Sequence, residues 1–264
     1  MRVCVEGVGL LGPGLCGWQA SRAVLTGAEP HLHALTVIPP GDMLPAAERR
    51  RIGVPVKLAL AVGREAFVNA GRDAAATATV FTSSGGDGEN VHQICETLAS
   101  TEREVSPTRF HNSVHNAAAG YWSIATGSRE PSTSLCGYDA SFAAGLLEAA
   151  AQVTADRTAV ALIAYDQRYP QPLHAVRPIG EAFAVALVLA PQRTDRTFAV
   201  LDISQVPAEE RPTRMTAASL ETVRVSVPAG RSLPVLAALA RGVAESAILE
   251  HVGAYRLRIE VDPC

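Results

Sequence analysis

Continuous apolar runs alternate with stretches of helical period along the whole chain, and no other property restricts its fold as much. Runs bounded by Gly, Pro and Asp have the pattern of buried strands, and the segments between them place apolar residues at helical spacing. That alternation is α/β layering, with helices packed on a largely buried sheet. Strands are predicted near 2–10, 77–84, 132–138, 158–166, 181–190, 197–205 and 254–262. Helices are predicted near 16–26, 55–71, 88–99, 113–126, 140–153 and 232–248. Hydrophobic residues are 48% of the chain and aromatics only 5%, so most of the apolar mass is Ala, Val and Leu, which suits helices lying close on a sheet.

The 264 residues can bury a full core, and one continuous α/β unit over 1–264 is the simplest organisation. Residues 30–53 hold Pro39-Pro40 and Pro45 and are read as a long irregular connection. A shorter weak stretch spans 207–212, and neither has the character of a domain linker. The net charge is -3 and no basic run exceeds Arg49-Arg50-Arg51, so nothing points to nucleic acid. The opening Met1 to Val8 reads as a charged strand rather than a signal peptide. No apolar stretch approaches the roughly 20 residues that span a bilayer. Cysteines 4, 16, 95, 136 and 264 form neither CxxC pairs nor a disulfide framework, and a reducing cytoplasm is the expected compartment.

Ser83-Ser84-Gly85-Gly86-Asp87-Gly88 forms a Gly-rich turn between a strand and a helix, where backbone amides can face an anion. It lacks the Gly-Lys-Ser/Thr of a phosphate loop and the spacing of a dinucleotide fingerprint, and its ordinary reading is a tight turn with Asp87 starting the helix. His111 and His115, beside Asn112 and Asn116, have the spacing of one helical face. They supply half a zinc site and no metalloprotease motif, so polar contacts at an interface or in the core are expected. His31 and His33 carry less signal. No Gly-x-Ser-x-Gly elbow occurs, and neither a metal nor a cofactor is expected.

Ser132 to Ala149 is the most informative segment, a short strand, a sharp turn and an Ala-rich helix. A nucleophile at such an elbow gains from the positive end of the helix, which singles out Cys136 among the cysteines. Asp139 opposes this, because it is a good N-cap and its carboxylate disfavours a nearby thiolate. A buried, inert thiol is the ordinary expectation for Cys136.

The segments Ser106-Pro107 to Asn116, Gly120 to Gly127 and Pro131 to Ser134 resemble the approach to the active-site cysteine in thiolase-fold condensing enzymes. His174 to Pro178 and Glu181 to Leu189 resemble a shortened Arg-Pro-Phe-Asp stretch and the strand after it. The likeness covers about residues 1–190, and several motifs occur in the expected order. It implies a thiolase-like layered α/β fold with a complete N-terminal half over 1–190 and a reduced C-terminal portion over 191–264, its exposed remainder covered by a partner. Glu6 to Gly14, Ser83 to Asp87 and Arg109 to Asn116 bring the chain nearer to the short chain-length factors of aryl polyene and xanthomonadin-type pathways.

That resemblance implies a subunit without catalysis, paired with a catalytic ketosynthase or with itself and working on chains held by an acyl carrier protein. Counting from Pro131-Ser132 puts the nucleophile position at Asp139, counting back from Gly145 puts it near Gly137, and Cys136 fits neither register. The expected histidines are missing too, since only His174 and His251 follow residue 139. The elbow Cys136, Gly137 and Asp139 is therefore expected to be vestigial. Phe110, His111, Asn112, His115, Asn116, Tyr121, Trp122, Tyr138 and Phe142 are the candidates for an interface or an acyl tunnel. Two other readings stay open: a small acyltransferase or thiolase-like enzyme using Cys136 with His111, His115 or His174 as base, and a homodimeric module binding an acyl chain or a carrier protein.

Overall fold

The computed structural model describes residues 1–264 as nine strands in one sheet with helices on its faces. The strands are β1 (Arg2–Gly12), β2 (Leu15–Cys16), β3 (Ala78–Thr82), β4 (Ser132–Leu135), β5 (Val160–Asp166), β6 (Phe183–Ala190), β7 (Ala199–Pro207), β8 (Glu245–Glu250) and β9 (Tyr255–Pro263). The helices are α1 (Trp18–Thr26), α2 (Ala46–Arg49), α3 (Val54–Ala70), α4 (Gly88–Ala99), α5 (Pro107–His111), α6 (Ala117–Thr126), α7 (Ser141–Asp156), α8 (Leu173–Val176), α9 (Ala218–Ser226) and α10 (Leu233–Arg241). The sheet order is β4-β3-β5-β6-β1-β7-β9-β8, with β2 paired to β1. The β4-β3-β5 pairings are parallel and the rest antiparallel.

Side chains alternate across β6, so Phe183, Val185, Leu187 and Leu189 enter a core shared with α1, α7 and α10. Ala184, Ala186 and Val188 point the other way, to α3 and α6. The small residues on that face let α3 lie close. Gly7 and Gly9 on β1 let it come closer still, because a side chain at either would meet the carbonyl oxygens of Ala66 or Val62.

One sequence expectation changes here. The helix expected over 232–248 stops at Arg241, with Gly242 left-handed at φ 63°, and 245–250 becomes the edge strand β8. On β9 Leu257, Ile259 and Val261 are buried, while Arg256, Arg258, Glu260 and Asp262 occupy the alternate positions and remain accessible. No helix is long and apolar enough to cross a membrane.

Candidate functional site

Beyond β4 the chain turns through Cys136, Gly137, Tyr138 and Asp139 before α7 begins. Tyr138 sits in the left-handed region at φ 55°, an uncommon state for an aromatic residue. Ser141 holds the turn shut, with its Oγ accepting from the Gly137 N–H at 3.1 Å and donating to the Tyr138 carbonyl at 2.7 Å. Asp139 does not cap α7, in contrast to the sequence reading. Its Oδ1 accepts from Arg177 Nη2 at 2.8 Å and its Oδ2 lies 3.3 Å from Arg231 Nη2. These charge-assisted contacts with arginines 38 and 92 positions away draw the carboxylate off the helix end.

The charges continue beyond Asp139. Arg231 pairs with Glu250 at 2.7 Å, Glu250 also lies 3.3 Å from Arg224, and the buried Arg224 makes two 2.8 Å contacts to Glu221. Hydrogen bonding from Arg224 holds the Glu221 carboxyl below its ordinary value. The Arg177 guanidinium also lies 3.5 Å above the Tyr138 ring centroid, a cation–π stack on an exposed aromatic.

Cys136 is exposed, which corrects the expectation of a buried thiol. The strand ends one residue before it, and α7 starts only at Ser141, so the thiol stands outside the helix end.

Beside the elbow, the Gly-rich turn uses its polar groups internally. Ser83 Oγ accepts from the Gly86 N–H at 3.0 Å, and Asp87 accepts from the Asn90 N–H at 3.1 Å to start α4. Asp166, at the end of β5, takes the Ser84 N–H and hydroxyl at 2.8 and 2.7 Å on one oxygen and the Ala229 N–H at 2.8 Å on the other. Complete burial pushes this carboxyl up to about 6, against the pull of the hydrogen bonds from Ser84 and Ala229. The carboxylate therefore ties the β3–α4 turn to the segment before α10.

The histidines do not share a helical face. α5 ends at His111 and α6 starts at Ala117, so His115 lies in the turn between, its Nε2 3.2 Å from the Ser83 carbonyl. His111 meets Tyr121 edge-on, with ring centroids 6.5 Å apart. Asn112 is buried and accepts from the Tyr121 hydroxyl at 3.0 Å, whereas Asn116 is exposed. His174 lies on α8 and His251 on the β8–β9 turn.

Trp122, Phe142 and Tyr121 are core residues. Trp122 stacks on Phe67 at 5.5 Å and meets Phe81 at 6.4 Å, so these three offer no surface to a partner. Phe110 and Tyr138 are exposed. Phe110 joins Val114 and Ile124 on an open face of about 660 Å³ along α5 and α6. A shallow groove lined by Asn116, Ser123, Ser132 and Ser134 places α6 beside β4, an edge of the sheet. Arg231, Glu250, Arg224 and Asp166 carry no local motif; their roles arise only from contacts between distant segments.

The family model of the β-ketoacyl synthase N-terminal domain matches residues 18–244. No curated protein matches the chain. Among solved structures, the ketosynthase (ApeO) in complex with its chain length factor (ApeC) from Xenorhabdus doucetiae is 22% identical with a TM-score of 0.74, covering 98% of this chain and 99% of that one. The ishigamide ketosynthase/chain length factor is 14% identical with a TM-score of 0.75, covering 100% and 99%. The complex AntDE:AntF (apo), described as a type II PKS acyl-carrier protein with its ketosynthase bound to the hexaketide, is 11% identical with a TM-score of 0.76 and the same coverage. At these identities the likeness is one of fold.

Proposed function

The chain belongs to the β-ketoacyl synthase N-terminal domain family, and from that premise we propose that it is a non-catalytic, chain-length-factor-type subunit. In this reading it pairs with a catalytic ketosynthase, in the cytoplasm, during polyketide or aryl polyene assembly on an acyl carrier protein. The observation that carries the proposal is Asp139. It stands at the position the Pro131-Ser132 register assigns to the nucleophile, and its carboxylate is neutralised by Arg177 and Arg231. A carboxylate so engaged forms no acyl thioester. His174 and His251, the histidines available after it, lie on a short helix and on an exposed turn.

Pairing is supported by the α5–α6 face. Phe110, Val114 and Ile124 are exposed together, and β4 leaves one edge of the sheet unpaired beside them. An apolar patch next to an open strand edge is a surface that proteins cover with a partner. The fold likeness to ketosynthase–chain length factor complexes agrees with this.

Co-expression with a candidate catalytic ketosynthase from the same organism tests the proposal. A stable one-to-one complex with condensing activity that falls when this chain is omitted is expected. A ketosynthase that is soluble and fully active alone overturns it. The exposure of Cys136 favours one competing reading, acyl transfer through that thiol. Intact-mass measurement after incubation with an acyl thioester separates the two, because a stoichiometric acyl adduct on Cys136 would establish the enzyme.

A further inference from the structure

The molecule has a second polar concavity, walled in part by the Gly-rich turn at Asp87, whose cations have few partners. The starts of α3 and α4 and the helix α5 enclose a cleft of about 440 Å³ bearing Arg50, Arg51, Lys57 and Arg109. Arg51 lies 3.3 Å from Glu48, while Arg50, Lys57 and Arg109 take part in no ion pair of this structure. The carboxylates on the walls are otherwise engaged. Asp87 accepts from the Asn90 N–H and from Gln167 Nε2 at 3.1 Å, and Glu89 accepts from Gln93 Nε2 at 2.7 Å.

The backbone under two of the arginines is pegged by buried amides. Asn90 Nδ2 donates to the Arg109 carbonyl at 2.8 Å, and Asn112 Nδ2 donates to the Arg51 carbonyl at 2.7 Å. Such anchoring lowers the entropy lost when the side chains close on a ligand. The 17-residue α3 also begins on the wall, at Val54, with Gly53 before it supplying no side-chain cap. In a chain of net charge -3, a pocket with this local excess of cations runs against the overall sign.

We propose that this cleft binds a phosphomonoester dianion. Its source is a free small molecule, because a phosphate that links an arm to a carrier is a diester with one charge and two terminal oxygens. Arginine forks and a lysine supply several donors and positive charges to three phosphate oxygens. The volume suits a small ligand rather than a single ion. The assignment does not depend on pairing with a ketosynthase.

Calorimetric titration of the full chain at low ionic strength, with inorganic phosphate, glycerol 3-phosphate, a phosphodiester (glycerophosphocholine) and glycerol, tests it. Saturable one-site binding of inorganic phosphate and glycerol 3-phosphate and none of glycerol is expected. Binding of the phosphodiester as tight as that of glycerol 3-phosphate would overturn the assignment of a monoester dianion. Arg109→Glu, or Arg50→Glu at an exposed position, weakens binding at least tenfold, while Arg129→Glu, outside the cleft and of equal charge change, leaves it within about twofold. Thermal melts confirm that each variant is folded. Absence of saturable binding to either inorganic phosphate or glycerol 3-phosphate, or equal weakening by Arg109→Glu and Arg129→Glu, overturns the proposal.

Discussion

Replacing Asp139 by cysteine would place a thiol between two guanidiniums, and the geometry sets the size of the effect. The carboxylate oxygens now lie 2.8 Å from Arg177 and 3.3 Å from Arg231, and Arg231 is shared with Glu250 at 2.7 Å. An opposite charge this close lowers the pKa of an acid by about 1–3 units. The Asp139 side chain is 40% exposed, and solvent screening together with competition from Glu250 favours the lower part of that range, about 1.5 units. From an ordinary thiol value of about 8.5, the midpoint for alkylation of Asp139→Cys then falls to about 7. The thiolate fraction at pH 7 rises from about 3% to about 50%, but nucleophilicity falls with basicity, so the rate rises only about threefold. The midpoint is therefore the sharper readout. Iodoacetamide labelling across a pH series, followed by peptide mass mapping, measures it, with the exposed Cys16 and Cys95 as internal references. Adding Arg177→Gln should move the midpoint back up by about 1 unit. A midpoint at or above about 8.5 in the single variant would refute the view that the arginines converge on this position. Condensing activity is not expected to appear, because the thiol alone supplies no stabilisation of the developing charge.

Three further outcomes follow from the structure. Ile124→Glu combined with Phe110→Glu, both at exposed positions, should abolish co-purification with the ketosynthase while leaving the melting temperature within a few degrees; retained binding would place the interface elsewhere. Asp166 binds its proton more tightly in the folded chain, at about 6, than the unfolded chain does at about 3.9, so stability increases as pH falls through 6, by about 1 kcal/mol between pH 7 and pH 5. Glu6 and Glu221, whose carboxyls are held below the usual range, act in the opposite sense only below about pH 4.5. Urea melts should show a smaller slope between pH 7 and pH 5 in Asp166→Asn, with the carboxyls of Glu65 and Asp87, also raised by burial, acting in the same sense, and an unchanged slope would count against the assignment. Trp122→Ala removes a buried ring stacked on Phe67 and should cost about 3–5 kcal/mol in the same assay, with a loss below about 1.5 contradicting the packing described.

Elements held by local pattern were legible in the sequence. The apolar runs at 2–10 and 181–190 became β1 and β6, the helical spacing after Gly53 became α3, and Asp87 caps α4 as its residue type suggests. The order of motifs from Ser106 to Leu189 also sufficed to reach the family, since motif order along a chain is itself a one-dimensional signal. Helix ends were less legible. α10 and β8 meet at Gly242, and apolar residues on both sides of it fit either period over so short a span.

What no reading of the chain could supply is the company each polar group keeps. Cys136 is exposed, and Asp139 serves two arginines instead of capping α7 because residues 177 and 231, distant in sequence, arrive beside it in the fold. Asp166 joins the Ser84 and Ala229 segments, 82 and 63 positions away from it, for the same reason. Periodicity and turn chemistry act between near neighbours in sequence and so are written in it. Charge pairing and burial depend on distance in space, and at this elbow only the folded sheet decides them.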